Sequence, residues 1–300
     1  MLIGREERML GWVRRARARG GRSPVLVALL GAACAASLVA ALVAPLSGAG
    51  ADGTTRDPFL WPFATTSPWN VPVGSGARFA SDADPRTLDL QAVPGVNIDA
   101  QAYSQPMYRA STSDPLRTVT DPHGTAQYRI PDAATPAAGT DADLHVVDPT
   151  DHWVDECWNA RRLPSGDLTC GYHVRTDLTG SGVTSGVRAA GVSAIGGLIR
   201  QWELDQGQID HAVALALPDT AQAGGPIWPA TAQDSDAVVA YRGHIPLGTL
   251  LAIPSSVDVT TLGLTPGGLV LAHALQDFGA YDVDSTGEGV PGALYADPSA

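Results

Sequence analysis

Residues 144–158 read LHVVDPTDHWVDECW, and this stretch decides the fold class. Apolar residues at 144–147, turn chemistry across Asp148-Pro149-Thr150-Asp151 and a second run from His152 to Trp158 predict strand, turn, strand. A third run, 168–174, extends the pair into a hairpin or meander. Period-two alternation puts Val154, Glu156 and Trp158 on one face and Trp153, Asp155 and Cys157 on the other. Upstream, residues 70–140 show short apolar stretches between Pro, Asp and Gly without a helical period, which reads as strands and loops. Downstream, Ile195, Leu198, Ile199 and Trp202 recur at helical spacing, so residues 195–206 are expected to form an amphipathic helix closed by Gly207. A strand over 209–217 is expected to follow, with His211 facing the same aliphatic layer as Ile209 and Val213. Thr265-Pro266 opens a second helix through Phe278, and short strands are expected at 249–253 and 280–283. The class is therefore β-rich, all-β or α+β. Its simplest form is an antiparallel sandwich or jelly-roll-like sheet with about two packed helices, preceded by an N-terminal membrane helix.

The chain has 300 residues, 44% of them apolar and 17% charged, which is a globular composition. Its formal charge of −12 is uneven: residues 1–24 carry seven Arg against Glu6 and Glu7, leaving 12 Arg and 29 acids in the remainder. Such an acidic body repels phosphate backbones, so nucleic acid is excluded as a partner. Residues 25–44 are twenty consecutive apolar or small residues, about 30 Å as a helix, behind the arginine-rich flank. The positive-inside rule leaves 1–24 in the cytoplasm and exports the rest, through either a retained membrane anchor or a signal cleaved near Ala49-Gly50-Ala51. A Gly-, Pro- and Thr-rich linker over 45–66 then leads into one globular domain, 67–300. Outside the membrane Cys157 and Cys170, 13 residues apart, are expected to form a disulfide worth about 3 kcal/mol.

Beyond residue 24 there are only three glutamates, Glu156, Glu203 and Glu288, against many loop-favouring aspartates. Glu156, mid-strand beside Trp158, is a candidate general acid whose indole neighbour raises its pKa and stacks on a sugar ring. A surface glutamate paired with Arg161 or Arg162 is the plainer alternative. Arg200 and Glu203, at i and i+3, form either an ordinary ion pair or a carboxylate clamp and second catalytic acid. His211 is either a core histidine or a catalytic assistant. Asp282, Asp284, Thr286 and Gly287 resemble the start of a calcium loop, but Ala293 stands where the closing acid belongs, so no cofactor is expected beyond that weak calcium pattern. No nucleophile elbow, zinc motif or nucleotide loop is present.

Ser67-Pro68-Trp69-Asn70, Glu156-Cys157-Trp158 and Gly196-Gly197-Leu198-Ile199-Arg200 with Glu203 together resemble a group of exported bacterial proteins, largely actinobacterial. The resemblance implies an extracytoplasmic location and transfers no catalytic residue. The expected function is action on polysaccharide or cell-envelope glycan, as a hydrolase or lyase using Glu156, Glu203 and His211 with Trp158 and Arg200 as substrate contacts. The alternatives are a glycan- or protein-binding surface module and a structural envelope protein.

Overall fold

The computed structural model describes residues 56–300, so the expected basic segment, the apolar run 25–44 and the first half of the linker lie outside the described residues. Among the described residues no helix is long and apolar enough to cross a membrane. In chain order the first strands are β1 (Val96–Asp99), β2 (Met107–Arg109), β3 (Leu116–Asp121), β4 (Gly124–Arg129) and β5 (Leu144–Val147). Next come β6 (Trp153–Trp158), β7 (Arg161–Arg162), β8 (Leu168–Thr169), β9 (Tyr172–Asp177) and β10 (Val213–Leu217). The last are β11 (Gln222–Ala223), β12 (Ile245–Pro246), β13 (Leu250–Leu251), β14 (Ala280–Ser285) and β15 (Gly292–Tyr295). The helices are α1 (Pro85–Ala92), α2 (Gln201–Gln206), α3 (Ala237–Ala240) and α4 (Pro266–Asp277).

These elements stack in four layers. A five-stranded sheet, β1-β15-β10-β14-β13, carries α4 on its outer face. Its inner face meets the middle sheet, β2-β5-β6-β9, whose far side packs on a third sheet, β4-β3-β8-β7. The sequence 212–217, AVALAL, explains the central position of β10. Ala212, Ala214 and Ala216 face the inner cluster and let the middle sheet approach, while Val213, Leu215 and Leu217 pack outward with Ala274 and Leu275 of α4.

The 144–158 reading holds: β5 and β6 are antiparallel with Leu144 opposite Cys157 and Val147 opposite Val154. The faces are also as expected, since Val154 lies in the inner cluster and Cys157 in the far one. Cys157 and Cys170 are disulfide-bonded with Cα atoms 5.5 Å apart, inside that far cluster. Thr265 caps α4, its hydroxyl accepting the Gly268 N–H at 3.1 Å, with Pro266 in the first turn.

Several expectations are corrected. The sheets are mixed, not simply antiparallel: β1–β15, β10–β14 and β2–β5 are parallel pairs. The expected helix over 195–206 shrinks to α2, six residues. Gly197 has φ of +71°, and a Cβ there would lie 2.4 Å from the Ala214 nitrogen, so 195–200 is a segment pressed flat against β10. Its apolar spacing arises because Ile195 and Leu198 feed the inner core and Ile199 the outer one. The strand expected at 209–217 begins only at Val213, leaving His211 before it. The third run breaks at Gly171 into β8 and β9. Part of the expected linker is packed chain: Phe63 is buried, and its N–H donates to the Leu178 carbonyl at 2.7 Å.

Candidate acid–base site

Glu156 sits on the inner face of β6, opposite His145 of β5, and is fully buried. Its oxygens accept the Ser193 hydroxyl, the Ala194 N–H at 2.8 Å and the Val187 N–H at 3.3 Å. Burial pushes its pKa up and those donors pull it down, with burial the larger effect. Trp158 is not its wall: the indole stands at the end of β6, 40% exposed, with its ring over Gly171. With its oxygens engaged and no exposed surface, Glu156 acts as a clamp on the loop 187–194.

Glu203, His211 and Arg200 are brought together, but the partner of the Glu203 carboxylate is His211 and not the Arg200 side chain that the i, i+3 spacing suggested. His211 Nε2 lies 2.9 Å from Glu203 Oε1, and its Nδ1 lies 2.9 Å from the Ala212 carbonyl. With a carbonyl on one nitrogen and a carboxylate on the other, the ring holds two protons. Burial alone lowers its pKa, but the charge and hydrogen bond of Glu203 outweigh that and hold it above the ordinary value. The other Glu203 oxygen accepts the Arg200 N–H at 3.0 Å, closing the start of α2, and Arg200 donates to the Phe59 carbonyl at 2.7 Å. The cleft beside this trio, between Trp61, Trp69, Asn70 and His211, measures about 10 Å³, room for one water and not a sugar. Glu156 and the Glu203 trio are joined through one segment, 193–200, and not through a shared open cleft.

A different group gathers buried charge from several separate segments. The loop that Glu156 clamps carries Arg188, buried to 6% exposure. Its guanidinium lies 3.4 Å above the Tyr295 ring at the end of β15, donates to the Ala194 carbonyl at 3.1 Å, and stands 4.0 Å from Asp284 Oδ2. The close approach of the loop's two ends is why residue 186 is glycine: a Cβ there would overlap the Val192 carbonyl. Asp284 reaches this position through a register shift between Leu215 and Ala216 that pairs Asp284 with Ala216, whose methyl group faces the inner layer. Its side chain stays a quarter exposed.

Asp143 approaches from the middle sheet, just before β5, preceded by Ala142 at φ +44°, a strained conformation for a residue with a Cβ. A relay fixes its carboxyl: His145 Nε2 lies 2.6 Å from Gln105 Oε1, and Gln105 Nε2 donates to Asp143 Oδ2 at 2.7 Å. Burial, with the Arg188 charge adding to it, lowers His145 to about 3, so the ring is neutral and donates through Nε2. Burial drives Asp143 up to about 7 and Asp284 to about 7, and Asp99 at the end of β1 to about 6, with Arg188 opposing each rise. The Asp284 charge contributes to the Asp143 shift, so the two carboxyls sense one another. Asp143 Oδ1, Arg188 Nε and His145 Nδ1 are buried without a hydrogen-bond partner from the described residues of the protein.

The residues of the calcium pattern lie largely in a strand. Asp282 to Ser285 belong to strand β14, and the buried Asp282 carboxylate accepts Gln222 Nε2 at 3.1 and 3.2 Å. Among the described residues no three acids, histidines or cysteines are set to hold a metal. Arg188, Asp143, Asp99 and Tyr295 carried no motif. The one usable signal was an arginine set among apolar and small residues in VTSGVRAAGV, residues 183–192.

Comparison of the chain with protein-family models, with curated proteins and with solved structures gives no match.

Proposed function

We propose that the protein is an extracytoplasmic enzyme that cleaves polysaccharide or cell-envelope glycan by general acid–base chemistry, with Asp143 and Asp284 as the proton-carrying pair. The observation that carries this reading is the buried Arg188 guanidinium 4.0 Å from Asp284, with Arg188 Nε and Asp143 Oδ1 left unpartnered, and burial raising both carboxyls supports it. A carboxyl near neutrality gives a proton to a leaving glycosidic oxygen when protonated and takes one from water when ionised. Two in one site supply both roles that glycoside cleavage needs. Arg188, held flat on Tyr295, supplies fixed positive charge where negative charge develops. Glu156 holds the Arg188 loop, and the His145–Gln105 relay holds Asp143 by one oxygen so that the other stays free. Glu203, His211 and Arg200 fix the neighbouring segment. The export expectation places this chemistry where glycans are the abundant polymers.

The test is incubation of the full chain with isolated envelope polysaccharide, reading new reducing or unsaturated ends. Product formation lost in Asp284→Asn and Asp143→Asn, with the melting temperature kept, supports the reading. Saturable glycan binding with no product from any preparation replaces it with a binding module.

A further inference from the structure

The Arg188 site carries more negative charge than its arginine balances. Asp284 stands 4.0 Å from the guanidinium. Asp99 ends β1 directly opposite Tyr295, whose ring the guanidinium covers. Asp143 is tied to Gln105, whose backbone N–H donates to the Ala296 carbonyl at 2.9 Å, one residue past Tyr295. Asp234 arrives on a segment whose Thr231 and Ala232 N–H groups both donate to the Ala190 carbonyl, two residues from Arg188. Tyr241 Oη donates to Asp234 at 2.5 Å. The Asp141 charge reaches Asp99, Asp143, Asp234 and Asp284 alike, which places it among them. These five carboxyls share one guanidinium: among the described residues Arg188 is the cation that opposes the rise of Asp99, Asp143 and Asp284.

The buried members of the cluster add a second demand. Asp143 and Arg188 are 5% and 6% exposed, and Asp143 Oδ1 and Arg188 Nε have no hydrogen-bond partner among the described residues. One acceptor and one donor are therefore left to be met. Around them Asp99, Asp141, Asp234 and Asp284 are only half-buried, so the cluster reaches solvent. The Asp99 carboxyl is held by no hydrogen bond among the described residues, and only burial and the charges of Arg188 and Asp141 act on it. An anionic ligand adds to the excess of negative charge and a neutral one leaves it. An ammonium group offsets it.

We infer that the glycan taken by this site carries an unacetylated amino sugar, its ammonium facing the carboxyls of Asp99, Asp141, Asp143 and Asp284 and its neighbouring hydroxyl accepting from Arg188. The inference rests on the glycan reading and names the substrate class within it. A uronate or a phosphorylated sugar is disfavoured because its charge meets five carboxyls for one guanidinium. A lysine side chain brings the positive charge but no acceptor, whereas an amino sugar sets an ammonium and a hydroxyl on adjacent ring carbons. Acetylation of the nitrogen removes the charge and keeps the ring, which isolates the feature that the site is inferred to read.

The experiment is isothermal titration calorimetry of the full chain in non-ionic detergent, at an ionic strength of about 0.15 M that screens distant surface charge. The probes are a glucosamine tetramer, its N-acetylated counterpart and tetralysine. The proteins are the native chain, Asp99→Asn, Asp141→Asn and Asp82→Asn, the last at an exposed position outside the cluster, with folding checked by circular dichroism. The expected result is binding of the amine tetramer at least about tenfold tighter than the acetylated one, weakened at least about fivefold by each site variant and unchanged in Asp82→Asn. Equal or tighter binding of the acetylated tetramer overturns the inference. So does a loss in Asp82→Asn as large as in the site variants, which marks bulk attraction to an acidic surface. Absence of binding by either tetramer, or tighter binding of tetralysine, overturns it equally. Cleavage of acetylated glycan without preference for the amine sinks this inference and leaves the glycan reading standing. Site-dependent binding of the amine tetramer with no product from any preparation supports the inference and sinks the glycan reading.

Discussion

Glu156 holds the backbone N–H of Val187, the residue immediately before Arg188, at 3.3 Å. A buried acid on the middle sheet thereby decides where the guanidinium of a loop residue comes to rest. The same carboxylate also holds Ser193 and Ala194, and Ala194 in turn accepts from Arg188.

Glu156→Ala strands three donors in the interior, at about 1–3 kcal/mol for each one left unsatisfied. The expected loss is on the order of 4 kcal/mol in urea unfolding, while Glu156→Gln, which keeps the shape and one acceptor, loses less than half of that. Equal stability of the two variants contradicts the clamp.

The raised carboxyls make stability fall as pH rises. Asp143 and Asp284 hold their protons to about 7 and Asp99 to about 6 in the folded state, whereas unfolded aspartate releases its proton near 3.8. Their contribution is complete below the unfolded value and is lost as pH climbs through 6 and 7. His211, also raised, acts in the same direction. The melting temperature is therefore expected to drop between pH 5 and pH 8.5. Asp143→Asn is expected to flatten that drop and to raise stability at pH 8.5 by on the order of 2 kcal/mol. A flat profile in the native chain contradicts these assignments.

Breaking the buried pair of Glu203 and His211 leaves one charged partner without its counterpart. Glu203→Gln is expected to cost about 3 kcal/mol by chemical denaturation, and the double change with His211→Gln to cost less than the sum of the single changes. Additive losses contradict a direct pair.

Gly197→Ala is expected to be among the most damaging single changes, because its Cβ meets the Ala214 nitrogen and Trp69 ring atoms at a φ of +71°. A loss of at least about 3 kcal/mol, or failure to accumulate folded protein, is the expected outcome, whereas Gly207→Ala, with open space around it, loses only about 1 kcal/mol.

The legible parts of the sequence are those where local chemistry and tertiary packing agree. The Asp-Pro turn between β5 and β6, the Thr265-Pro266 cap of α4 and the Cys157–Cys170 pair each rest on neighbours within a few residues or on one covalent rule. The segment 195–200 misled because its helical spacing of Ile195, Leu198 and Ile199 serves two cores at once, and only the packing of Trp69 against Gly196 and Gly197 explains it. Glu203 and His211 were legible as candidates by residue type, but their contact was not, because His211 was expected to face an aliphatic layer from within a strand. The Arg188 site was not, because Asp99, Asp143, Arg188, Asp284 and Tyr295 come from five separate segments. The register shift in β14 that turns Asp284 inward leaves no mark in a period-two pattern.

The most direct measurement is the rate of glycan cleavage by the full chain between pH 5 and pH 9, for the native protein and for Asp143→Asn and Asp284→Asn. The account predicts a maximum near neutrality and at least about a hundredfold loss in each variant with the fold intact. Undiminished cleavage in both variants, or no product from the native chain at any pH, contradicts it.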